Sequence, residues 1–141
     1  MNYFVLDNSV AMRWHLASLK VTDQKYAEST LKSLTVAVAL VPNLWHLEAV
    51  NVLLGAEKRN ETTVGEVEGF ISQLENLPIQ VDPLTSHQSF TRTLSLARAY
   101  KLSSYDAAYL ELAIREGLAI ATLDKDLLKA AKKAGIKRYS A

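Results

Sequence analysis

The chain has 141 residues, of which 49% are hydrophobic and 22% charged, and its formal net charge is +1. This composition is that of a globular protein, and the length fits one domain spanning residues 1–141. Because cysteine is absent, disulfides and thiolate-bound zinc are excluded. The sequence shows no basic leader and no apolar run of about 20 residues, so we expect a soluble, cytoplasmic protein with no membrane partner.

Short apolar runs alternate with amphipathic segments along the chain. The apolar runs predict strands over residues 3–6, 36–41, 79–84, 118–123 and 136–139. The amphipathic segments predict helices over residues 9–17, 23–34, 44–59, 63–77, 86–100, 103–116 and 126–134. Strands that alternate with helices indicate parallel pairing, with helices on both faces of the sheet. The predicted fold class is therefore α/β, a three-layer α/β/α sandwich around a central parallel sheet.

Capping residues mark several of the predicted helix starts. Ser9 and Asn43 are suited to cap the helices that follow them, because their side chains can accept a hydrogen bond from the first helical turn. Thr63, followed three residues later by Glu66, has the sequence of a capping box. These signals fix where three of the helices are expected to begin.

Two acids stand at the ends of predicted strands. Asp7 follows the first strand directly and Asp124 follows the fourth. Since ligands of open parallel sheets bind beyond the carboxyl ends of the strands, the two carboxylates are expected close together if these strands are neighbours. A helix cap or Asx turn is the structural alternative for Asp7. Either Asp124 or Asp126 can cap the last helix, and Asp126 is the better placed, which leaves Asp124 for chemistry.

Two further acids lie in apolar helical segments. Glu48 is the only Asp, Glu, Lys or Arg between residues 37 and 56, and a buried carboxylate is costly unless it is paired or bound to a cation. The alternative is that Glu48 occupies one solvated stripe of its helix. Asp106 lies in a first helical turn, where the helix dipole alone favours a negative charge by about 0.3–1 kcal/mol. Further along that helix, Glu111, Arg115 and Glu116 are expected to face solvent.

Carboxylates that converge on one place repel each other unless a cation lies between them. Hard oxygen donors suit Mg²⁺ or Mn²⁺. The three histidines do not follow metal-ligand spacing. Thr122 points to the same side of its strand as Asp124, because side chains alternate along a strand. The candidate metal ligands are therefore Asp7, Glu48, Asp106 and Asp124.

Four segments taken together resemble one known family. They are F-V-L-D-N-S-V-A-M-R-W, V-P-N-L-W-H-L-E-A-V-N-V-L, L-S-S-Y-D-A-A-Y-L-E-L-A and L-A-I-A-T-L-D-K-D-L, in this order along the chain. The pattern resembles a PIN domain, and most of all the VapC-type toxins of prokaryotic toxin–antitoxin pairs. The likeness spans nearly the whole chain and implies the α/β/α sandwich with a parallel sheet.

The resemblance also implies an activity and a set of site residues. It implies a Mg²⁺- or Mn²⁺-dependent ribonuclease that acts on RNA, forms a homodimer and is inhibited by a cognate antitoxin protein. The antitoxin's tail is expected to lie over the active groove. Asn8 departs from the small residue or threonine common after the first acid, and we expect it to change the hydrogen bonding around the metal. The family's acids fall on Asp7, Glu48, Asp106 and Asp124, and its polar accessory positions on Ser9, Thr122 and Asp126.

Two other functions fit parts of the sequence. A phosphoacceptor receiver domain needs an Asp at the end of its third strand, and Asp82 is the available residue. That assignment leaves Glu48 unexplained. A non-catalytic RNA- or protein-binding module on the same fold would usually lack one or more of the four acids, all of which are present.

Two surface features are candidates for contacts with other molecules. Residues 125–138 hold six Lys or Arg and one acid, which indicates either a solvated helix face or phosphate contacts. Helices 9–17 and 63–77 carry more apolar residues than one buried stripe needs, which predicts protein interfaces. The residues concerned are Val10, Met12, Trp14, Leu16, Val64, Val67, Phe70 and Ile71.

Overall fold

The computed structural model describes residues 2–141, in which strands and helices alternate as predicted. The strands are β1 (Asn2–Leu6), β2 (Ala37–Val41), β3 (Ile79–Val81) and β4 (Ile120–Ala121). The helices are α1 (Asn8–Ala11), α2 (Val21–Ser33), α3 (Trp45–Lys58), α4 (Val64–Glu75), α5 (Thr85–Gln88), α6 (Leu94–Tyr100), α7 (Ser104–Glu116) and α8 (Lys125–Lys133).

The strands form one parallel sheet in the order β3-β2-β1-β4. In the register, Phe4 lies opposite Ala39 of β2, and Val5 lies opposite Ile120 of β4. Because crossovers between parallel strands are right-handed, the helices after β1 and β2 cover one face, and those between β3 and β4 cover the other. The predicted three-layer α/β/α class is confirmed. The order reverses direction between β1 and β4, and such switch points are where parallel sheets bind ligands.

The core lies around β1 and α7. Phe4, Val5 and Leu6 are fully buried, as is the aromatic ring of Tyr109. A strand covered on both faces reads as a continuous apolar run, which is why the first strand was visible in the sequence. Helix α7 is buried at every position from 107 to 113, so it lies deep in the fold and holds its side chains firmly.

Several predicted elements are shorter in the structure. Helix 9–17 is α1 followed by a 3₁₀ turn at Met12–Trp14, and there the Trp14 ring N–H donates to the Ala27 carbonyl (2.8 Å) and ties the chain to α2. Helix 86–100 is divided by a π-helical turn at Ser89–Thr93. The last predicted strand is a single bridge between Ile120 and Arg138.

The third predicted strand also ends early, at Val81. The next residue, Asp82, accepts hydrogen bonds from the Leu84 backbone N–H (3.1 Å) and the Thr85 hydroxyl (3.0 Å). Such an Asx turn offers the backbone an alternative to the sheet ladder, and it redirects the chain before Pro83.

Of the caps predicted at Ser9, Asn43 and Thr63, one is correct and two are wrong. The Thr63–Glu66 capping box is present, with both reciprocal bonds formed. Ser9 does not cap α1, since the N-cap position belongs to Asp7. Asn43 does not cap α3, which begins after Leu44 without a side-chain capping bond. Its backbone N–H donates instead to Thr85 Oγ1 (3.0 Å), which joins the β2–α3 loop to α5.

The apolar faces predicted as protein interfaces are mostly core. Val10 and Met12 are fully buried, and so, nearly, are Val67 and Phe70. The prediction of two interface helices was wrong because both helices turn these side chains inward, leaving Val64 exposed at the start of α4. None of the helices within residues 2–141 is long and apolar enough to cross a lipid bilayer.

Candidate active site

Asp7 lies at the carboxyl end of β1, where the chain leaves the sheet. Its backbone N–H donates to the Ala121 carbonyl of β4 (2.9 Å), so the two strands that precede Asp7 and Asp124 are neighbours, as the site prediction required. The Asp7 side chain is only 7% exposed. Burial raises the pKa of Asp7 and the charge of Asp124 adds to the rise, although hydrogen bonds from Ser9 and Thr122 oppose it.

Two hydroxyl groups hold one oxygen of Asp7. Asp7 Oδ2 accepts hydrogen bonds from Ser9 Oγ (2.6 Å) and from Thr122 Oγ1 (2.8 Å). The same hydroxyls accept backbone hydrogen bonds, Ser9 from the Leu123 N–H (2.9 Å) and Thr122 from the Asp124 N–H (3.0 Å). Ser9 and Thr122 thus connect the end of β1 to the loop after β4 and fix the orientation of the Asp7 carboxylate.

Asp124 has a structural role that the sequence assigned to Asp126. Asp124 Oδ1 accepts a hydrogen bond from the Leu127 N–H (2.9 Å), which makes Asp124 the N-cap of α8. The prediction that Asp126 caps this helix was therefore wrong, because Asp126 is an exposed residue of the first turn. The capping bond uses one oxygen of the Asp124 carboxylate, and a carboxylate has a second oxygen for another partner.

Glu48 lies in the first turn of α3 and is half-buried. Its Oε1 accepts a hydrogen bond from the Tyr109 hydroxyl of α7 at 2.6 Å. Burial raises the pKa of Glu48, the charge of Asp7 adds to the rise, and the Tyr109 hydrogen bond opposes it. Burial and the charges of Asp7 and Glu48 raise the pKa of Tyr109, so the phenol remains protonated and acts as the donor. Glu48 is thus held in place by α7, although it belongs to α3.

Asn8 reaches the same group from α1. Its Nδ2 donates to the Trp45 carbonyl (2.9 Å) and lies 3.4 Å from both Glu48 Oε1 and the Tyr109 hydroxyl. Asn8 was expected to change the hydrogen bonding around a metal, and its amide is directed to Glu48. The amide oxygen Oδ1 is buried and has no hydrogen-bond partner within residues 2–141.

Asp106 lies in the first turn of α7, which begins after Ser103. The Asp106 backbone N–H donates to Ser103 Oγ (3.1 Å). Burial, and then the charges of Asp124, Asp7 and Glu48, raise the pKa of Asp106 to about 6. The four predicted acids therefore share one electrostatic environment at the carboxyl end of β1 and β4.

The donor atoms of this group suit a hard divalent cation. They are carboxylate oxygens, and the pKa values of Asp7, Glu48 and Asp106 are raised by burial and by neighbouring acids. The unpartnered amide oxygen of Asn8 is also a hard oxygen donor. Mg²⁺ and Mn²⁺ bind such oxygens, often with several waters completing the shell. Among residues 2–141, no three His, Asp or Glu side chains already form a cluster that could hold an ion. The residues therefore fit a divalent cation by the type of their donor atoms and by their negative charge.

A second cluster of buried charges lies at the end of β3. Arg115 of α7 donates to both oxygens of Asp82 (3.1 and 2.7 Å) and to both oxygens of Glu111 (2.9 Å each). Asp82 and Glu111 are 6% and 3% exposed. The expectation that Glu111 and Arg115 face solvent was wrong. Their partner lies about thirty residues earlier in the chain, where no local pattern reveals it.

The ionisation of Asp82 differs from that of the four acids. Burial acts to raise the pKa of Asp82, but hydrogen bonds from Arg115, the Leu84 N–H and Thr85 lower it by more. Asp82 is thus a paired carboxylate with a structural role. Asp82 is the residue that a receiver domain would phosphorylate, and here it is paired with Arg115 instead.

Sequence reasoning did not single out Tyr109. The signal was available, because Asp106 and Tyr109 are three residues apart and share one face of α7. A tyrosine on the same helical face as a candidate ligand can reach a neighbouring acid, and here it reaches Glu48.

Comparisons with known proteins agree with this architecture. A family model described as PIN domain matches residues 4–133. Among the solved structures that match is PAE2754 from Pyrobaculum aerophilum, with a TM-score of 0.63 and 22% sequence identity over 92% of this chain and 79% of that one. At this identity the likeness shows a shared fold. A search of curated proteins found no match.

Proposed function

This chain belongs to the PIN-domain family, and we propose that it is a Mg²⁺- or Mn²⁺-dependent endoribonuclease. PIN domains are generally nucleases that act on RNA or DNA and usually bind a divalent metal. The observation that carries the proposal is that Asp7 and Asp124 follow neighbouring strands at the switch point of the sheet, where burial and the charges of Asp124, Asp7 and Glu48 raise the pKa of Asp106 to about 6. Within residues 2–141, every ion pair uses Arg59 or Arg115, and neither pairs with these acids.

The proposed roles follow from the contacts of each residue. Asp7, Glu48, Asp106 and Asp124 would hold the ion. Ser9 and Thr122 orient Asp7, and Tyr109 orients Glu48. Asp126 contributes negative charge from the first turn of α8. When bound, the metal supplies an activated water for in-line attack on the phosphodiester and neutralises charge in the transition state.

We also propose that the protein is the toxin of a toxin–antitoxin pair, acting in the cytoplasm as a homodimer with a cognate antitoxin. The support is the resemblance of its four motifs to VapC-type toxins. A stripe of exposed apolar residues on α3, formed by Leu47, Val50 and Leu54, supports a protein partner, since such patches usually mark interfaces. Induced expression should arrest growth, and light scattering should give a mass above the 15.6 kDa of one chain.

Cleavage of single-stranded RNA with and without a divalent metal tests the activity. We expect labelled RNA to be cut in Mg²⁺ or Mn²⁺ and to stay intact in EDTA. Single-stranded DNA in the same assay separates a ribonuclease from a nuclease of broader substrate range. RNA that is bound but left intact in both metals would replace the nuclease with a non-catalytic binding module.

A further inference from the structure

A groove beside the candidate active site is lined by three lysines. It lies between the loop that joins α6 to α7 and the exposed side of α8. Its lining includes Lys101, Lys129 and Lys133, together with Tyr100 and Asp126. Lys129 and Lys133 are four residues apart and therefore share one face of α8, while Lys101 lines the groove from the end of α6. The lysines are thus gathered by two separate elements of the fold.

The charges in this groove are not balanced by the chain itself. Asp126 is the one acid among the residues that line it. In the part of the chain that the structure describes, the ion pairs involve Arg59 and Arg115 and none of the lysines. Clefts lined by one sign of charge concentrate ligands of the opposite sign. The groove therefore favours an anionic ligand.

The backbone at Lys101 is a second, independent feature of this groove. Lys101 is the C-cap of α6 and has left-handed dihedrals, φ 55° and ψ 45°. A residue with a β-carbon is uncommon there, and glycine is the usual choice. The next helix follows that rule, with Gly117 at the same position. Strained residues of this kind often mark functional sites, and the side chain retained at this strained position lines the groove.

The groove adjoins the candidate acids. Asp126, which lines it, is two residues after Asp124, and α7, which carries Asp106, packs against α8. Tyr100 adds an aromatic ring to the lining. Proteins that bind single strands combine a positive groove along the backbone with aromatic side chains on which bases stack. These are the two kinds of side chain found here.

We propose that the groove formed by Lys101, Lys129, Lys133 and Tyr100 binds the phosphates of single-stranded RNA and leads the strand to the acids. The inference rests on the proposed function, because it supplies the substrate-binding surface of that activity. It also assigns different roles to the basic residues of the C-terminal region. Arg138 is excluded from the surface, since its guanidinium stacks on the Tyr26 ring (3.8 Å) and donates to the Thr122 carbonyl (3.4 Å).

The salt dependence of RNA binding tests the proposal. Binding of a short labelled single-stranded RNA is measured by fluorescence anisotropy in EDTA, so that cleavage does not intervene. In the triple variant Lys101→Gln, Lys129→Gln, Lys133→Gln, we expect binding at low salt to weaken by about tenfold or more. The slope of log affinity against log salt should fall by about 2, since each single-strand phosphate contact contributes about 0.7.

A matched variant separates the groove from total charge. Lys25→Gln, Lys32→Gln, Lys132→Gln changes the net charge by the same amount at exposed lysines outside the groove, and it should leave the salt slope near that of the unmodified protein. Equal losses in both triple variants would overturn the proposal, because binding would then follow net charge alone. A poly-glutamate peptide that binds through the three lysines, while RNA binding is unchanged in the groove variant, would replace RNA with an acidic protein segment.

The failure of this inference is distinguishable from failure of the proposed activity. Normal cleavage by the groove variant, with an unchanged KM for RNA, would overturn the groove and leave the ribonuclease standing. Loss of RNA binding in the groove variant, in a protein that cuts no RNA in any metal, would support the groove and overturn the ribonuclease.

Discussion

The fold contains two groups of acids on one sheet, one at the end of β3 and one at the end of β1 and β4, and they differ in what balances their charge. At the end of β3, Asp82 and Glu111 are both paired with Arg115, and the pKa of Asp82 is lowered. At the end of β1 and β4, the pKa values of Asp7, Glu48 and Asp106 are all raised.

This difference separates a structural cluster from a candidate site. A buried carboxylate needs a positive partner or loses its charge. The acids at the end of β3 pair with the cation Arg115, so they can stay ionised without any ligand. The acids at the end of β1 and β4 have polar hydrogen-bond donors, but no Lys, Arg or His among residues 2–141 pairs with them. A divalent metal would supply at this edge what Arg115 supplies at the other.

The largest expected effect of a single substitution is on catalysis. Asp106→Asn removes one charge from the acids at the end of β1 and β4 while keeping the size of the side chain. We expect RNA cleavage in Mg²⁺ to fall by about a thousandfold or more, because a metal ligand is lost. In EDTA the variant should be at least as stable as the unmodified protein, since one repelling carboxylate is gone.

Asp23→Asn is the matched control, because Asp23 also lies in a first helical turn, that of α2. It should cost about 0.3–1 kcal/mol through the helix dipole and leave cleavage unchanged. If both variants cleave RNA equally well, Asp106 is a dipole partner and the proposed ligand set is wrong.

Substitution of Arg115, which pairs with the acids at the end of β3, should lower the stability of the fold. Arg115→Ala leaves the buried Asp82 and Glu111 without their positive partner, and we expect the free energy of unfolding to fall by about 3 kcal/mol. Arg59→Ala removes an exposed pair with Glu61 and should change stability little. Urea denaturation measures both. A loss no larger for Arg115→Ala than for Arg59→Ala would show that the cluster does not stabilise the fold.

A smaller effect is expected where the two regions are connected through α7. Tyr109→Phe removes the hydroxyl that holds Glu48 and nothing else of the ring. Loss of a residue that orients a metal ligand typically costs about 10–100-fold in metal affinity or activity, and we expect a weakening of Mn²⁺ binding in that range. Tyr26→Phe removes a comparable buried hydrogen bond, to the Tyr139 carbonyl (2.7 Å), and should leave Mn²⁺ affinity unchanged.

The smallest expected effect is on the pH dependence of stability without metal. The pKa of Asp106 rises from 3.8 to about 6 on folding, so between these values the folded chain binds more protons than the unfolded chain. The free energy of unfolding should therefore fall as pH rises through that window. Asp82, whose pKa is lowered, contributes in the opposite sense only below its ordinary value of 3.8.

Thermal melts in EDTA at about pH 5 and about pH 7 measure this dependence. The unmodified protein should be less stable at the higher pH, and Asp106→Asn should show a smaller difference. A larger loss in Asp106→Asn than in the unmodified protein would contradict the assignment.

Much of the candidate site could be predicted, because several of its acids stand out in the local sequence. Asp7 directly follows a fully buried strand, and Glu48 is the lone acid in an apolar helix. The sequence placed Asp7 and Asp124 together only if the first and fourth strands are neighbours, and the sheet shows that β1 and β4 are. Whether these acids bind metal stays a prediction.

The remaining features depend on contacts that local sequence does not contain. Asp124 and Asp126 both lie at the start of α8, and in the structure Asp124 is the cap while its own backbone N–H donates to Thr122. Arg115 was expected in solvent because the local sequence does not show its partner. That partner is Asp82, which follows β3. The hydrogen bond from Tyr109 to Glu48 joins residues that are 61 positions apart. In the last two cases a partner distant in sequence decided the outcome.

Thermal unfolding of the unmodified protein with and without Mn²⁺ tests the central claim most directly. If Asp7, Glu48, Asp106 and Asp124 bind a divalent cation, Mn²⁺ should raise the melting temperature. The gain corresponds to about 2.7 kcal/mol when the ion is present at a hundred times its Kd. Asp106→Asn should lose most of that gain, whereas Arg115→Ala, although less stable, should keep it. A melting temperature of the unmodified protein that does not respond to millimolar Mn²⁺ would contradict the claim that this edge is a metal site.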